Sequence, residues 1–170
     1  MLNKIVIFDF DDTLFPTTHV ITTKSFTEEE INKINESIKQ LFENLWERNY
    51  KIIIITNAEL EWIKTWKEYI PILNEVDIYS ARDKYEKKNI PQNNWKKLLY
   101  LNLFTKKLLN YNYVVCVGDS ENDKEAADTL SMSLNHFSNI NVKFIKIPIS
   151  PTINKLIIIH ELLQQHEYLN

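Results

Sequence analysis

Short runs of consecutive apolar residues alternate along the chain with longer segments in which apolar residues recur every three or four positions. The short runs are rich in valine and isoleucine, which is typical of strands buried on both faces. They predict five strands, at residues 5–8, 52–55, 76–79, 113–117 and 142–147. The longer segments predict amphipathic helices over 27–48, 59–69, 93–109 and 121–135, with a last helix from 150 onward.

Local signals mark the ends of some of these helices. Thr27 followed by Glu30 has the pattern of a capping box, in which each side chain bonds the backbone N–H of the other residue. Pro151 suits the first position of the last helix, where a missing N–H costs little. Residues 14–25, with a proline and two threonine pairs, predict a loop.

Buried strands that alternate with helices predict parallel strands joined by right-handed crossovers. We therefore expect an α/β fold: a Rossmann-like, three-layer α/β/α sandwich around a central parallel five-stranded sheet. Trp62 and Trp66, one helical turn apart, fit a stripe of core residues that packs on this sheet. The chain has 170 residues, of which 44% are hydrophobic, so residues 1–170 are expected to form a single domain.

Polar residues follow four of the five predicted strands. They are Asp9 and Asp11, Thr56 and Asn57, Ser80 and Arg82, and Gly118 and Asp119. The carboxyl ends of parallel strands meet at one edge of the sheet, which is where ligands bind in open α/β sheets. We therefore place a candidate active site at this edge.

The acids after the first and fourth strands form a candidate metal site. Asp9 and Asp11 point the same way in an extended chain, so their carboxylates repel each other unless a cation lies beside them. Asp119 is expected to face the same cation, with Asp123 one helical turn behind it, and such oxygen ligands suit Mg²⁺. Gly118, the one glycine of the chain, indicates a tight turn or a close backbone approach there. The alternative is that these acids only cap turns and helices.

A phosphate group would find partners at the same edge. Thr56 can donate to a phosphate oxygen, and Asn57 can cap the next helix so that its N–H groups face an anion. A simple helix cap explains these two residues equally well. A phosphate site also needs a fixed positive side chain, and five lysines qualify by position: Lys84, Lys87, Lys88, Lys96 and Lys97. We favour Lys96, which follows Trp95 at a predicted helix start.

Together, these features resemble the haloacid dehalogenase (HAD) superfamily of phosphohydrolases. The first motif of that family, Asp-x-Asp-x-Thr after an apolar strand, matches residues 9–13. Its second motif is a strand that ends in Thr or Ser, here Thr56, and its third is a lysine, here Lys96. Its fourth, of the form Gly-Asp-x-x-x-Asp, matches residues 118–123. The four motifs keep the order of the family and span most of the chain.

The resemblance implies a role for each of these residues. Asp9 would be the nucleophile that forms an aspartyl-phosphate, and Asp11 would be the general acid and then the general base. The metal ligands would be Asp9, Asp11 through its backbone carbonyl, Asp119 and Asp123. The phosphoryl group would be bound by Thr56, Asn57 and Lys96. The function implied is that of a Mg²⁺-dependent phosphatase.

Many members of that superfamily close the site with an inserted cap domain. Here residues 14–50 leave room for one loop and one helix, and residues 80–96 are too few for a folded cap. The resemblance therefore implies a member without a separate cap, in which either a large or polymer-borne phosphomonoester or a partner subunit must exclude water from the site. The lysines between residues 84 and 107 either attract such a polyanion or form an ordinary solvated face.

Composition narrows the class of partner and compartment. The formal net charge of -3 gives no reason to expect nucleic acid or an anionic membrane as partner, although a phosphorylated macromolecule stays open. No apolar run is long enough to cross a bilayer. The single cysteine, Cys116, lies in an apolar run where packing is expected, and it suits a reducing, cytoplasmic compartment.

Three other functions share this residue pattern. A phosphotransferase would pass the phosphoryl group to another acceptor, and a regulatory or protein-binding member would have lost useful turnover. A receiver-like domain would itself be phosphorylated. The complete set of four acids argues against lost turnover, and Asp11, two residues after the expected nucleophile, argues against a receiver.

Overall fold

A parallel sheet of five strands forms the centre of the protein. The computed structural model describes residues 3–23, 27–136, 140–147 and 152–168. The strands are Lys4–Phe8 (β1), Tyr50–Thr56 (β2), Asp77–Ser80 (β3), Tyr113–Gly118 (β4) and Asn141–Lys146 (β5). Their order across the sheet is β3-β2-β1-β4-β5, so the first strand of the chain lies in the middle. The predicted α/β fold with a five-stranded parallel sheet is confirmed.

Helices cover both faces of this sheet. They are Thr17–Thr23 (α1), Glu28–Glu47 (α2), Leu60–Lys67 (α3), Ala81–Tyr85 (α4), Trp95–Leu103 (α5), Glu121–Asn135 (α6) and Thr152–Tyr168 (α7). Apolar residues of α2, α3 and α7 pack with Val6 and Phe8 on one face of β1. Residues of α4, α5 and α6 pack with Ile5 and Ile7 on the other face. Because both faces of β1 are buried, its apolar run has no polar alternation.

The capping signal at the start of α2 works as expected. The Thr27 hydroxyl accepts from the backbone N–H of Glu30 at 3.2 Å, and the Glu30 carboxylate accepts from the backbone N–H of Thr27 at 2.9 Å. The capping box is therefore confirmed. The predicted start of the last helix at residues 150 and 151 lies outside the described residues.

The prediction of a loop over residues 14–25 is wrong, because part of this segment forms α1. Asp12 has a left-handed backbone conformation, with φ of 54°, and turns the chain after β1. Its carboxylate then accepts from the backbone N–H of Thr18 at 2.9 Å and from the Thr18 hydroxyl at 2.5 Å. Threonine has a low helix propensity, so the sequence pattern does not predict α1. The hydrogen bonds to the Asp12 carboxylate stabilise this helix.

Two other segments depart from the predicted helices and loops. The predicted helix over 93–109 is shorter, because α5 is followed by a π-helical turn at Phe104–Leu108. The polar stretch after β3 forms the short helix α4, where the Ser80 hydroxyl accepts from the backbone N–H of Asp83 at 3.0 Å. Across the described ranges, no helix combines the length and apolar character that a membrane span requires.

Candidate active site

The candidate residues meet at the carboxyl edge of the sheet. Phe8, the last residue of β1, lies opposite Ile54 of β2 and Val117 of β4. The backbone N–H of Asp9 continues this ladder by donating to the Val117 carbonyl at 2.9 Å. Three neighbouring strands therefore deliver Asp9, Thr56 and Asp119 to one place. Strand pairing, rather than sequence proximity, assembles the site.

A buried lysine joins two of the acids. The ammonium of Lys96 donates to Oδ1 of Asp9 at 2.7 Å and to Oδ1 of Asp123. Its side chain is only 4% exposed. The start of α5 is fixed by Trp95, whose indole N–H donates to the Ile90 carbonyl at 2.7 Å. Lys97 instead pairs with Glu125 of α6, so Lys96 is the lysine that faces the acids.

Burial and charge act in opposite directions on this group of side chains. Burial raises the pKa of Asp9, and the positive charge of Lys96 opposes that shift. Burial alone would lower the pKa of Lys96, but the carboxylates of Asp9 and Asp123 outweigh it and raise that pKa. Lys96 therefore stays positively charged at neutral pH and forms an ion pair with Asp9.

Asp123 serves both the start of α6 and the site. Its Oδ2 accepts from the backbone N–H of Ser120 at 3.1 Å and from the Ser120 hydroxyl at 2.6 Å, while its Oδ1 faces Lys96. The cap and the charge pair thus share one carboxylate. Gly118 makes room for it, because a Cβ atom at that position would lie 2.5 Å from the Cβ of Asp123. The expected close approach at Gly118 is confirmed.

Asp119 is the least compensated acid of the cluster. Among the described side chains, its donor is the Thr13 hydroxyl, at 3.2 Å. Burial, together with the negative charge of Asp123, raises the pKa of Asp119. A further positive charge nearby would therefore stabilise this carboxylate.

The arrangement fits a divalent cation. Carboxylate oxygens of Asp9, Asp119 and Asp123 all lie within 4.8 Å of one another. Within the described residues, Lys96 is the cation that pairs with this cluster, so one positive charge faces three acids, two of which are buried. A hard cation with oxygen ligands would remove that imbalance. The side chain of Asp11 is not part of this cluster.

The carboxylate of Asp11 is held by neutral donors instead. Its Oδ1 accepts from the Thr17 hydroxyl at 2.6 Å and from the Trp62 indole N–H at 3.1 Å. Its Oδ2 accepts from the Thr56 hydroxyl at 3.1 Å. We call Thr17, Thr56 and Trp62 the Asp11 cradle. Its members come from α1, β2 and α3.

The sequence interpretation missed two members of the Asp11 cradle. Thr17 falls in the predicted loop, and Trp62 in the predicted stripe of core residues. Trp62 does pack against Phe15 and Trp66, with ring centroids 6.5 Å and 5.4 Å away, so core packing is one of its two roles. The other role follows from the indole N–H, which needs an acceptor when the ring is partly buried.

The segment after β2 differs from the expected helix cap. Helix α3 begins later, with Glu59 as its N-cap residue, so the prediction that Asn57 caps the next helix is wrong. The Thr56 hydroxyl accepts from the backbone N–H of Ala58 at 2.9 Å and thereby turns the chain. The Oδ1 atom of Asn57 is buried and has no hydrogen-bond partner among the described residues. Asn57 therefore keeps an unused acceptor beside Thr56.

The model of one protein family, the haloacid dehalogenase-like hydrolases, matches residues 19–135. The chain belongs to this family. The matched residues contain Thr56, Lys96, Asp119 and Asp123, whereas Asp9 and Asp11 precede them. A comparison with curated protein sequences gives no match.

Solved structures agree with this assignment at the level of the fold. The HAD domain of the effector protein Lem4 from Legionella pneumophila has 19% sequence identity and a TM-score of 0.60, over 96% of this chain and 95% of that one. The Legionella pneumophila effector Ceg4, with an N-terminal yeast Hog1p sequence, has 13% identity and a TM-score of 0.53, over 95% and 96% of the two chains. Similarity at these identities shows a shared HAD fold.

Proposed function

We propose that this haloacid dehalogenase-like hydrolase is a Mg²⁺-dependent phosphatase that acts through an aspartyl-phosphate on Asp9. The observation that supports this most strongly is the position of Asp9, which bonds to the ammonium of Lys96 and lies close to the carboxylates of Asp119 and Asp123. A nucleophilic carboxylate needs a fixed positive partner that also attracts the phosphoryl group, and Lys96 is placed for both tasks.

In the first step, a carboxylate oxygen of Asp9 attacks phosphorus, and the bond between phosphorus and the leaving oxygen breaks. The Asp11 carboxyl gives its proton to that leaving oxygen. In the second step, Asp11 takes a proton from water as the water oxygen attacks phosphorus. The bond between Asp9 and phosphorus then breaks, which releases phosphate and restores both carboxyl groups.

The other residues bind and orient. Thr56, Asn57 and Lys96 hold the phosphoryl oxygens in this proposal. Mg²⁺ would be held by the carboxylates of Asp9, Asp119 and Asp123 and the backbone carbonyl of Asp11, and when bound it would neutralise negative charge on the transferring group.

The decisive test is hydrolysis of an aryl phosphate with Mg²⁺ or with a chelator. Asp9→Asn should abolish turnover, because it removes the nucleophile and keeps the size of the side chain. Asp11→Asn should slow both steps, by roughly a hundredfold or more. The matched control is Asp128→Asn, which changes an exposed acid paired with Lys124 on α6 and should leave the rate unchanged.

The outcomes separate the candidate functions. Turnover that needs Mg²⁺ and disappears in Asp9→Asn supports the phosphatase, whereas equal rates in Asp9→Asn and the wild type exclude the mechanism. A rate that rises on adding alcohol acceptors, with the phosphoryl group recovered on the alcohol, indicates a phosphotransferase. If no ester is hydrolysed and a phosphate-mimicking metal fluoride does not bind, the regulatory function takes first place.

The proposed substrate is large or polymer-borne, since we propose that residues 1–170 form one domain without a cap. Helices α1 and α2 follow β1, and α2 packs on the sheet beside β2. The carboxyl edge then stays open to a phosphate carried on a macromolecule. We expect kcat/KM to be higher for a phosphorylated protein or peptide than for an aryl phosphate. The reverse ranking would contradict this substrate class.

A further inference from the structure

We propose that Trp62 and Thr17 are positioning residues that orient Asp11, so that Oδ2 of Asp11 is the atom that exchanges the proton with the leaving group. This inference rests on the proposed phosphatase function and adds to it two residues that lie outside the four motifs. The hydrogen bonds of the Asp11 cradle support this inference, because two of them are made to Oδ1 of Asp11 and one to Oδ2.

Two side chains of the protein donate hydrogen bonds to Oδ1 of Asp11. It accepts from the Thr17 hydroxyl at 2.6 Å and from the Trp62 indole N–H at 3.1 Å, and an indole nitrogen can only donate. Oδ2 accepts from Thr56 alone among the described side chains. A proton on the carboxyl group therefore competes with two fixed donors at Oδ1 and with one at Oδ2, so Oδ2 is the oxygen that carries it.

The donor at Oδ2 is also the one that a substrate would remove. The Thr56 hydroxyl has a single proton, and its oxygen already accepts from the backbone N–H of Ala58 at 2.9 Å. That proton can go to Asp11 or to a phosphoryl oxygen, but not to both at once. When Thr56 turns to a bound phosphoryl group, Oδ2 is released while Thr17 and Trp62 keep the carboxyl group in place.

Both positioning residues are themselves fixed. The Trp62 ring meets Phe15 and Trp66 edge to face, with centroids 6.5 Å and 5.4 Å away, and Phe15 stacks on Phe10 at 5.5 Å. Thr17 is the first residue of α1, and the Asp12 carboxylate fixes that end of the helix. The donors to Oδ1 therefore keep their positions without help from a substrate, as preorganised catalysis requires.

The test uses phosphomonoesters whose leaving groups range from nitrophenol to simple alcohols. A good leaving group needs little proton donation, whereas an alcohol needs a well-oriented general acid. Trp62→Phe keeps an aromatic side chain but removes the N–H and part of the indole volume, a loss that the control at Trp66 matches, and Thr17→Val keeps the shape and removes the hydroxyl. We expect each to lower kcat/KM roughly tenfold for alkyl esters and less than about threefold for nitrophenyl esters. The matched controls, Trp66→Phe on α3 and Thr22→Val on α1, should change both rates equally.

A double-mutant cycle separates positioning from a general structural effect. Trp62→Phe added to Asp11→Asn should have no further effect on kcat/KM for alkyl esters, because the residue acts through Asp11. A loss that is equal for all leaving groups, or that adds fully to the effect of Asp11→Asn, would overturn the inference while leaving the phosphatase function intact. If no ester shows hydrolysis that depends on Asp9, the phosphatase function fails and this inference falls with it.

Discussion

The carboxylates of Asp9 and Asp11, which follow β1, are bound by different kinds of side chain. Asp9 is buried and bonds to the ammonium of Lys96, beside two further acids. Within the part of the chain that the structure describes, the side chains that donate to Asp11, two residues along, are the hydroxyl and indole groups of the Asp11 cradle. The Asp9 side of the site thus depends on charge compensation, and the Asp11 side on neutral hydrogen bonds.

This difference matches the tasks proposed for the two acids. A nucleophile must attract an anionic group, so it needs positive charge nearby, and Lys96 supplies it. A group that transfers protons needs a defined direction, which neutral donors provide without adding charge. The neutral donors lie in α1, β2 and α3, whereas Lys96, Asp119 and Asp123 lie in or beside α5 and α6. The first half of the chain therefore supplies the hydrogen-bond donors to Asp11, and the second half supplies the charged residues around Asp9.

The charged side should be the more sensitive to loss of a single residue. Lys96→Met removes the ammonium and leaves the buried carboxylates of Asp9 and Asp123 without their positive partner, so we expect a loss of about 3–5 kcal/mol in the free energy of unfolding. Lys97→Met is the matched control, because it breaks only the partly exposed pair with Glu125 and should cost about 0–1 kcal/mol. Urea denaturation measures both values, and equal losses would contradict the importance of the buried pair.

Metal binding should stabilise the charged side selectively. Mg²⁺ at about 100 times its Kd should raise the free energy of unfolding by about 2.7 kcal/mol, because it binds the folded protein alone. Asp119→Asn should weaken this effect strongly, whereas Thr17→Val, in the Asp11 cradle, should preserve it. Thermal denaturation with and without Mg²⁺ distinguishes the two variants. An unchanged metal effect in Asp119→Asn would remove Asp119 from the ligand set.

The smallest expected effect concerns pH in metal-free solution. Burial and the charge of Asp123 raise the pKa of Asp119 above its ordinary value of 3.8, so the folded protein holds this proton more tightly than the unfolded chain does. The stability that this group contributes is therefore lost as the pH rises from 3.8 through the raised pKa. Asp119→Asn should remove that part of the decline and make the metal-free protein more stable than the wild type at neutral pH.

The measurement is urea denaturation at several pH values between acidic and neutral, in the presence of a chelator. Wild type and Asp119→Asn should have similar stability at the acidic end and diverge as the pH rises. The burial of Asp9 causes a further decline that both proteins share. Parallel curves across the whole range would show that Asp119 is not electrostatically strained.

Sequence reasoning predicted the sheet and the charged side of the site, because both depend on local patterns. Apolar runs predict buried strands, and each acid of the cluster directly follows such a run or caps the next helix. The Asp11 cradle could not be predicted in the same way. The Trp62 ring packs in the core, and only its indole N–H contacts the site. Helical spacing predicts the packing of the ring but not the hydrogen bond of the N–H. Thr17 is placed by the Asp12 cap, whose left-handed backbone gives no periodic signal.

The central place of β1 in the sheet has a consequence for biosynthesis. Ile5 pairs with Lys51 on one side and with Val114 on the other, so β1 must wait for a neighbour that is translated much later. At ribosomal speeds this delay is about 5–20 s, during which one edge of an apolar strand stays unpaired. A nascent chain paused before β4 would offer that edge to other chains, and chaperones would have most to protect there.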